Sequence, residues 1–162
     1  MSNVIFAEQA QEKPQSGWGV IISREFWPLV DLAKMREAAR IDNTVTAERL
    51  YYAAAAAVIY VNQQLADYKA ARQAAGQTAL ANAPQGSVEQ INGISVAEHH
   101  YLRAVYSYTK ADLLETYADY DATGQTATRA EAKQQQADDY RREAHAAIAD
   151  LQGRRRVDSE LI

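Results

Sequence analysis

The sequence predicts an all-α protein: a small helical bundle of about four helices, two of them long, with extended arms at both ends. Apolar residues recur at spacings of three and four over long stretches, which is the period of an α-helix. The seven glycines and three prolines lie between those stretches, whereas the ten tyrosines lie inside them. Two Ser/Thr-x-x-Glu boxes, which are typical of helix starts, come before two of the stretches.

Residues 1–28 are predicted to form an N-terminal extended arm. It contains Pro14, Gly17 and Gly19, which break regular structure, and two apolar patches, at 4–6 and at 18–22. The second patch has the composition of a short strand. We expect it to have no partner strand within the chain, because the remainder of the sequence is helical in pattern.

The helical domain is predicted to span residues 29–152, and its first two helices have clear boundaries. A short helix follows Asp31, which is a suitable N-cap. A long helix starts after Thr46 and runs to about Ala75, where Gly76 can end it. The long helix has an apolar stripe at helical spacing, formed by Leu50, Ala54, Val58, Val61, Leu65 and Tyr68.

The second half of the domain is predicted to be a helical pair. Residues 77–94 form a loop that is long for a compact bundle. A capping box at Ser95–Glu98 then starts a helix that runs to about Tyr120. A second box at Thr128–Glu131 starts a last helix, which ends near Gln152.

Residues 153–162 are predicted to form a C-terminal docking tail. Gly153 ends the last helix, three arginines follow, and the sequence closes on two bulky apolar residues. Arginines at this position also favour the negative end of the helix dipole, so part of their effect is helix capping. The candidate docking residues are Arg154, Arg155, Arg156, Val157, Leu161 and Ile162.

The two long helices before residue 121 have more apolar surface than a bundle of about four helices would obviously bury. The stretch from Leu50 to Val61 is apolar on every side, and the third helix has two apolar stripes. Either tyrosines lie at the edge of the core with their hydroxyls in water, or the second faces pack against neighbouring subunits. The candidate subunit-interface residues are Tyr52, Ile59, Tyr60, Tyr101 and Tyr108.

Composition excludes several classes of function. The chain has no cysteine, so disulfides, thiolate metal sites and cysteine nucleophiles are excluded. A net charge of −4 does not favour wrapping of nucleic acid, which needs many cationic side chains. No secretory signal is apparent at the start. The most apolar window, 50–61, is shorter than the roughly 20 residues of a membrane span, so we expect no membrane association.

No group of residues has the pattern of a catalytic or metal site. His99 and His100 are adjacent on a helix and point in different directions, so they cannot share a metal. No phosphate-binding glycine loop or nucleophile elbow is present. We therefore expect no enzyme activity, no cofactor and no metal. The second half of the chain is acidic, and Asp112, Glu115 and Asp119 share one helix face, either as a solvated surface or as the wall of a channel.

The sequence resembles the head completion and stabilisation proteins of temperate phages with contractile tails, the phage GPL family. The resemblance runs from about Phe26 to the last residue, and its specificity lies in the order and spacing of short stretches. These are 26–28, 30–31, 43–46, 49–50, 92–93, 101–105, 117–121, 147–153 and 161–162.

The resemblance implies a structural role in the virion. Such proteins look like head-to-tail adaptors, which form a ring, commonly of twelve copies, under the portal after DNA packaging. The ring seals the head and joins it to a further neck or tail-completion protein, and the C-terminal segment commonly reaches the portal. Packaged DNA would pass through the ring without specific binding. Assembly would take place in the cytoplasm of the bacterial host.

Two other classes of protein remain open. One is a DNA-binding packaging subunit similar to a small terminase, which would bind DNA in a salt-sensitive manner. The other is a monomeric helical scaffold or chaperone that binds unfolded partners. The apolar helix faces and the two arms favour a ring subunit over both, because a head-to-tail ring needs contact surfaces for two neighbours.

Overall fold

The computed structural model describes residues 19–23, 25–82, 89–121 and 127–154 of the 162-residue chain, with backbone alone at 118–121 and 127. Over this part of the chain the fold is largely helical and contains two short strand pairs. The helices are α1 (Leu32–Ala38), α2 (Ala47–Gln64), α3 (Ala66–Ala74), α4 (Val96–Asp121) and α5 (Ala127–Leu151). The strands are β1 (Val20–Ile21), β2 (Val30–Asp31), β3 (Gln90–Ile91) and β4 (Ile94–Ser95).

The predicted helix starts at Asp31, Thr46 and Ser95 are confirmed by side-chain caps. Asp31 Oδ1 accepts hydrogen bonds from the amides of Ala33 and Lys34. Thr46 Oγ1 accepts one from the Arg49 amide at 3.2 Å. In the capping box, the Ser95 hydroxyl and the Glu98 carboxylate each accept the other residue's amide, both at 3.1 Å.

Two details of the predicted helices differ in the structure. The helix expected from after Thr46 to about Ala75 is interrupted at Leu65, whose backbone (φ −101°, ψ 11°) departs from helical geometry, so five helices are described where about four were predicted. The last helix begins at Ala127, so Thr128 lies inside α5 and is not its cap. Such interruptions depend on tertiary packing, and periodicity alone does not show them.

The prediction that the apolar patch after Trp18 has no partner strand is also wrong. β1 pairs antiparallel with β2, with Val20 opposite Asp31 and Ile21 opposite Val30. Between the two strands, Phe26 and Trp27 turn inward and are 1% and 7% exposed. The last part of the predicted arm therefore packs on the helical domain.

α4 is the central helix of the fold. It packs on α5 along most of its length and on α2 on another side. Both of its apolar stripes contain buried residues: Ala104, Val105 and Ala111 are at most 1% exposed, whereas Leu102, Tyr108 and Tyr117 are half-buried. Much of the apolar surplus that the sequence predicts for α4 is thus covered within the described part of the chain. None of the described helices has the length and apolarity that crossing a bilayer requires.

A joint of aromatic and polar groups holds three segments together. The indole ring of Trp27 stacks on the ring of Tyr101, with centroids 4.9 Å apart and planes at 11°. The Tyr101 hydroxyl donates to Asn62 Oδ1 at 2.8 Å, and Asn62 Nδ2 donates to Ser23 Oγ at 3.2 Å. Burial raises the pKa of Tyr101 well above its ordinary range, so the hydroxyl stays protonated and acts as the donor.

Trp27→Ala should lower the free energy of unfolding by about 3–5 kcal/mol, because it removes a buried aromatic side chain and leaves a cavity beside Tyr101. Leu29→Ala is the control, since Leu29 is 57% exposed, and it should change the value by less than about 0.5 kcal/mol. Urea unfolding followed by circular dichroism measures both. Equal effects of the two variants would show that the joint does not stabilise the fold.

Candidate interaction surfaces

Helix α2 has an outward face that is exposed, uncharged and largely apolar. The face comprises Tyr52, Ala56, Ile59 and Gln63, which recur at spacings of four, three and four and are all exposed. Tyr52 is 60% exposed even though its ring meets Tyr51 edge-on, and Ile59 is 58% exposed. We call these four residues the α2 outer face. Two of the five candidate subunit-interface residues, Tyr52 and Ile59, lie on it.

Tyr101 is not available for a subunit interface. It is 0% exposed and forms the joint with Trp27 and Asn62. The sequence pattern placed it correctly on an apolar stripe. It did not show that α2 and the β1–β2 segment cover that stripe within the chain.

Tyr60 and Tyr108 form part of an internal cluster between α2, α4 and α5. Their rings stack with centroids 4.4 Å apart and planes at 19°. The guanidinium of Arg141, on α5, lies 5.1 Å from the Tyr108 ring centroid. Both tyrosines are half-buried and pack against the core, and burial raises the pKa of Tyr60. They are therefore mainly intramolecular contacts.

The same arginine binds one of the candidate channel residues. Arg141 Nε donates to Glu115 Oε1 at 2.9 Å, and its Nη2 donates to Glu115 Oε2, which makes a two-pronged ion pair. The hydrogen bond with Arg141 lowers the pKa of Glu115. Burial raises the pKa of the neighbouring Asp112. The side chain of Asp119 lies outside the described residues.

The face predicted as a uniformly acidic strip therefore contains one neutralised and one half-buried carboxylate. The sequence placed Asp112 and Glu115 on one side of α4, and the structure agrees with that placement. The sequence did not reveal Arg141 as the partner of Glu115, because that contact depends on how α5 is rotated against α4.

A β-hairpin on the predicted loop is a second exposed apolar surface. Ile91 of β3 pairs directly with Ile94 of β4, and they are 55% and 39% exposed. Asn92 and Gly93 form the turn with φ of 52° and 78°, the left-handed conformation that such tight turns require. The Asn-Gly pair between two isoleucines is a sequence signal that could have predicted this hairpin.

The C-terminal docking tail is described only at its start. Gly153 has a φ of +67°, and the amide of exposed Arg154 donates to the Ala149 carbonyl at 2.9 Å, which closes the end of α5. This hydrogen bond is made by the backbone, so the capping effect of the arginine side chains stays a prediction. The other five candidate tail residues, Arg155, Arg156, Val157, Leu161 and Ile162, lie outside the described residues.

No cluster of metal-ligating side chains occurs in the described ranges. His99 Nε2 instead lies 3.1 Å from the Ile91 carbonyl oxygen, and this contact ties α4 to the hairpin. The surface features of the described chain are thus apolar faces and ion pairs, which suit contact with other proteins.

Comparison with known proteins identifies the family to which the chain belongs. Residues 21–162 match the family described as phage head completion protein (GPL). The chain belongs to this family. Its curated relatives include the head completion/stabilization protein of Escherichia phage P2, which is 31% identical over 153 residues, covering 94% of this chain and 86% of the relative. No solved structure matches the chain.

Membership in the head completion family implies that the protein is a structural component of the phage virion and contacts other head or tail proteins. The match begins at residue 21, in β1, and so covers the helical domain and the tail. The α2 outer face, the hairpin and the tail lie within the matched range.

Asp112→Asn and Glu115→Gln should shift stability in opposite directions. Asp112 has a raised pKa in the folded state, which means that folding favours its protonated form. Its contribution to stability is therefore favourable at low pH and is lost as pH rises through that pKa. Asp112→Asn should therefore stabilise the protein at about pH 7. Glu115 has a lowered pKa, so its stabilisation is present above the ordinary pKa of about 4.3 and is lost as pH falls.

Glu115→Gln should accordingly lower the free energy of unfolding by about 0.5–1 kcal/mol at neutral pH, as expected of a partly exposed ion pair. Both differences from the wild-type protein should shrink towards about pH 3. Urea midpoints at several pH values measure them. Effects of the same sign for the two variants would contradict the described environment of Arg141.

Proposed function

We propose that the protein forms a ring under the portal of the phage head, in twelve copies, which seals the DNA-filled head and joins it to the neck or tail. The observation that carries this proposal is the α2 outer face, an exposed apolar surface on a member of the head completion family. A monomer that acts alone gains nothing from such a face, whereas a ring subunit buries it against a neighbour.

The C-terminal tail is proposed to bind the portal. Arg154, Arg155 and Arg156 would meet acidic or carbonyl groups, and Val157, Leu161 and Ile162 would fill apolar slots. A further neck or tail-completion protein would bind the ring on its other side. The protein would act at the head–tail interface of the virion after assembly in the host cytoplasm.

Packaged DNA is proposed to pass through the ring without specific binding. The net charge of −4 supports this, since a basic wall would retain phosphates. Whether Asp112, Glu115 and Asp119 face the channel stays a prediction. Because Arg141 neutralises Glu115, repulsion of DNA by this face would depend on the other two carboxylates.

The net charge also favours a ring subunit over a DNA-binding packaging subunit. The cationic side chains of α5 are partly engaged already: Arg141 binds Glu115 and Arg142 binds Asp139. A monomeric scaffold or chaperone that binds unfolded partners could also use the α2 outer face, and sedimentation of the protein alone and with portal would distinguish it from a ring. These observations support an adaptor, for which no catalytic group is needed.

Deletion of residues 154–162 should leave a folded helical domain that binds portal at least about tenfold more weakly, because it removes the apolar anchors and the arginines of the tail. Binding is measured with purified portal rings by surface plasmon resonance, and helicity by circular dichroism. A matched control deletes residues 1–18 and keeps the tail. If the chain without its tail binds portal with full affinity, the proposed docking role of the tail is wrong.

A further inference from the structure

A cleft between the end of α1, α4 and α5 contains two cationic side chains close together. Arg40 is exposed and Lys110 is half-buried. Burial lowers the pKa of Lys110, and the nearby charge of Arg40 lowers it further, so the two cations repel each other. The cleft has a volume of about 610 Å³, and its lining residues are Arg40, Lys110, Gln136, Asp139, Tyr140 and Glu143.

The two acidic side chains that line this cleft are already paired with other cations. Asp139 binds Arg142 on the same helix. Glu143 binds Arg103 of α4, with Oε1 at 3.0 Å from Nε. These pairs neutralise the acids of the cleft without using its own two cations.

Arg40 and Lys110 have no such acidic partner among the described residues. Lys110 Nζ donates to the backbone carbonyl of Arg40 at 2.9 Å, and the ion pairs of the described ranges include neither side chain. Asp42 attracts Lys110 from beyond ion-pair distance, and its Oδ1 accepts a hydrogen bond from the Thr44 amide at 2.7 Å. The cleft therefore has an excess of positive charge, which favours an added carboxylate.

The backbone at Arg40 shows that the chain sustains a cost for a cation at this position. Its φ of 48° lies in the left-handed region, where glycine is favoured and a longer side chain is strained. The residue closes the end of α1, where the Ile41 amide donates to the Arg36 carbonyl at 2.9 Å. Glycine would close this helix with less strain, so the arginine side chain is a candidate for a binding role.

The N-terminal arm matches this cleft in charge. Residues 1–12 contain two acidic side chains, Glu8 and Glu12, and no cationic one. The two glutamates are four positions apart, so they lie on the same side of the backbone both in a helix and in an extended chain. Both carboxylates can therefore face a pair of adjacent cations at once.

The C-terminal tail matches the cleft less well. Asp158 and Glu160 are also acidic, but the same segment contains the three arginines at 154–156. A cationic cleft repels those arginines, and they outnumber the two acids. The longer internal stretches outside the described backbone, 83–88 and 122–126, contain no acidic residue. The arm is thus the segment of this chain that suits the cleft best.

The place where the described chain begins brings the arm within reach of the cleft. The Gly19 carbonyl accepts a hydrogen bond from the Leu32 amide at 3.1 Å, so the arm leaves the fold at the first turn of α1. Arg40 lies about 12 Å further along at 1.5 Å per residue. The stretch from Glu12 to Gly19 spans up to about 23 Å when extended, and Glu8 has a longer tether. Both glutamates therefore reach the cleft of their own chain.

A second, mainly apolar cleft adjoins the first and suits the next part of the arm. Lys110 borders both clefts, and the second lies beyond it along α4. Its volume is about 280 Å³, and Ile41, Val45 and Leu113 are among its lining residues. The apolar patch at 4–6 likewise lies beyond the two glutamates when the arm is followed back from the fold. The order of charged and apolar groups therefore agrees between the arm and the clefts.

We propose that Glu8 and Glu12 of the N-terminal arm bind Arg40 and Lys110 of the same chain. The arm then runs along α1, and its carboxylates neutralise the excess charge of the cleft. A tethered segment has a high local concentration, which favours this contact over the same contact between two copies. The contact does not depend on the proposed ring, so either can be wrong without the other.

Carbodiimide joins a carboxylate directly to a lysine amine, without a spacer, and so tests the contact in the full-length protein. We expect linked peptides that join Lys110 to Glu8 or Glu12, identified by mass spectrometry. Lys34 is the internal reference, because it is exposed on α1 and lies closer to the start of the arm. An arm that does not bind the cleft would link to Lys34 at least as often as to half-buried Lys110, whereas a bound arm links mainly to Lys110.

Substitutions at position 40 separate the charge from the fold. Arg40→Gly removes the cation and relieves the backbone, so the protein should stay folded by circular dichroism. The yield of the link to Lys110 should fall about threefold to fivefold, as expected from the loss of one partly exposed ion pair. Arg40→Lys retains the charge and should retain the link. The double variant Asp158→Asn/Glu160→Gln is the matched control in the tail and should leave the yield unchanged.

A mixture of unlabelled and ¹⁵N-labelled protein shows whether the linked residues belong to one chain. The inference requires linked peptides of uniform label, and pairs of mixed label would show instead that the arm binds another copy. The inference is also wrong if Lys110 links to Asp158 or Glu160 in place of the arm, or if the link to Lys34 is as frequent as the link to Lys110. Assembly on the portal tests the proposed ring separately.

Discussion

The Trp27–Tyr101–Asn62 joint determines how the rest of the molecule is arranged. A buried tyrosine hydroxyl is costly unless it finds a partner, and here the partner is an amide on another helix. Because Asn62 must point to Tyr101, the rotation of α2 about its own axis is fixed. The period of the helix then places Tyr52 and Ile59 outward. This polar contact and the buried apolar residues of α2 together account for the outward position of Tyr52 and Ile59.

The placement of α4 has a related consequence for assembly. α2 and α5 cover α4 on two sides. The large apolar side chains that stay exposed in the described residues are Tyr52 and Ile59 of α2, Ile91 and Ile94 of the hairpin, and Ile22 and Leu29. Ion pairs such as Arg103 with Glu143 at 3.0 Å also join α4 to α5. The described residues thus combine a well-packed interior with a few exposed apolar side chains.

Local features could be predicted from the sequence, and long-range features could not. The caps at Asp31 and Ser95 are confirmed because a cap involves residues three positions apart. The hairpin at Asn92–Gly93 is equally local and was predictable in principle. Tyr101 was assigned wrongly because periodicity shows which face is apolar but not what covers it. The bond from Arg141 to Glu115 depends on the relative rotation of two helices, which has no signal in one sequence.

The proposed ring buries the α2 outer face between subunits, and the proposed tail contact holds the portal. Electron cryomicroscopy of the isolated neck with its portal, at a resolution that shows side chains, would reveal both contacts. We expect Tyr52 and Ile59 of each subunit to be covered by a neighbouring subunit, with residues 154–162 on the portal. An α2 outer face that stays in solvent or lines the DNA channel would contradict the proposal.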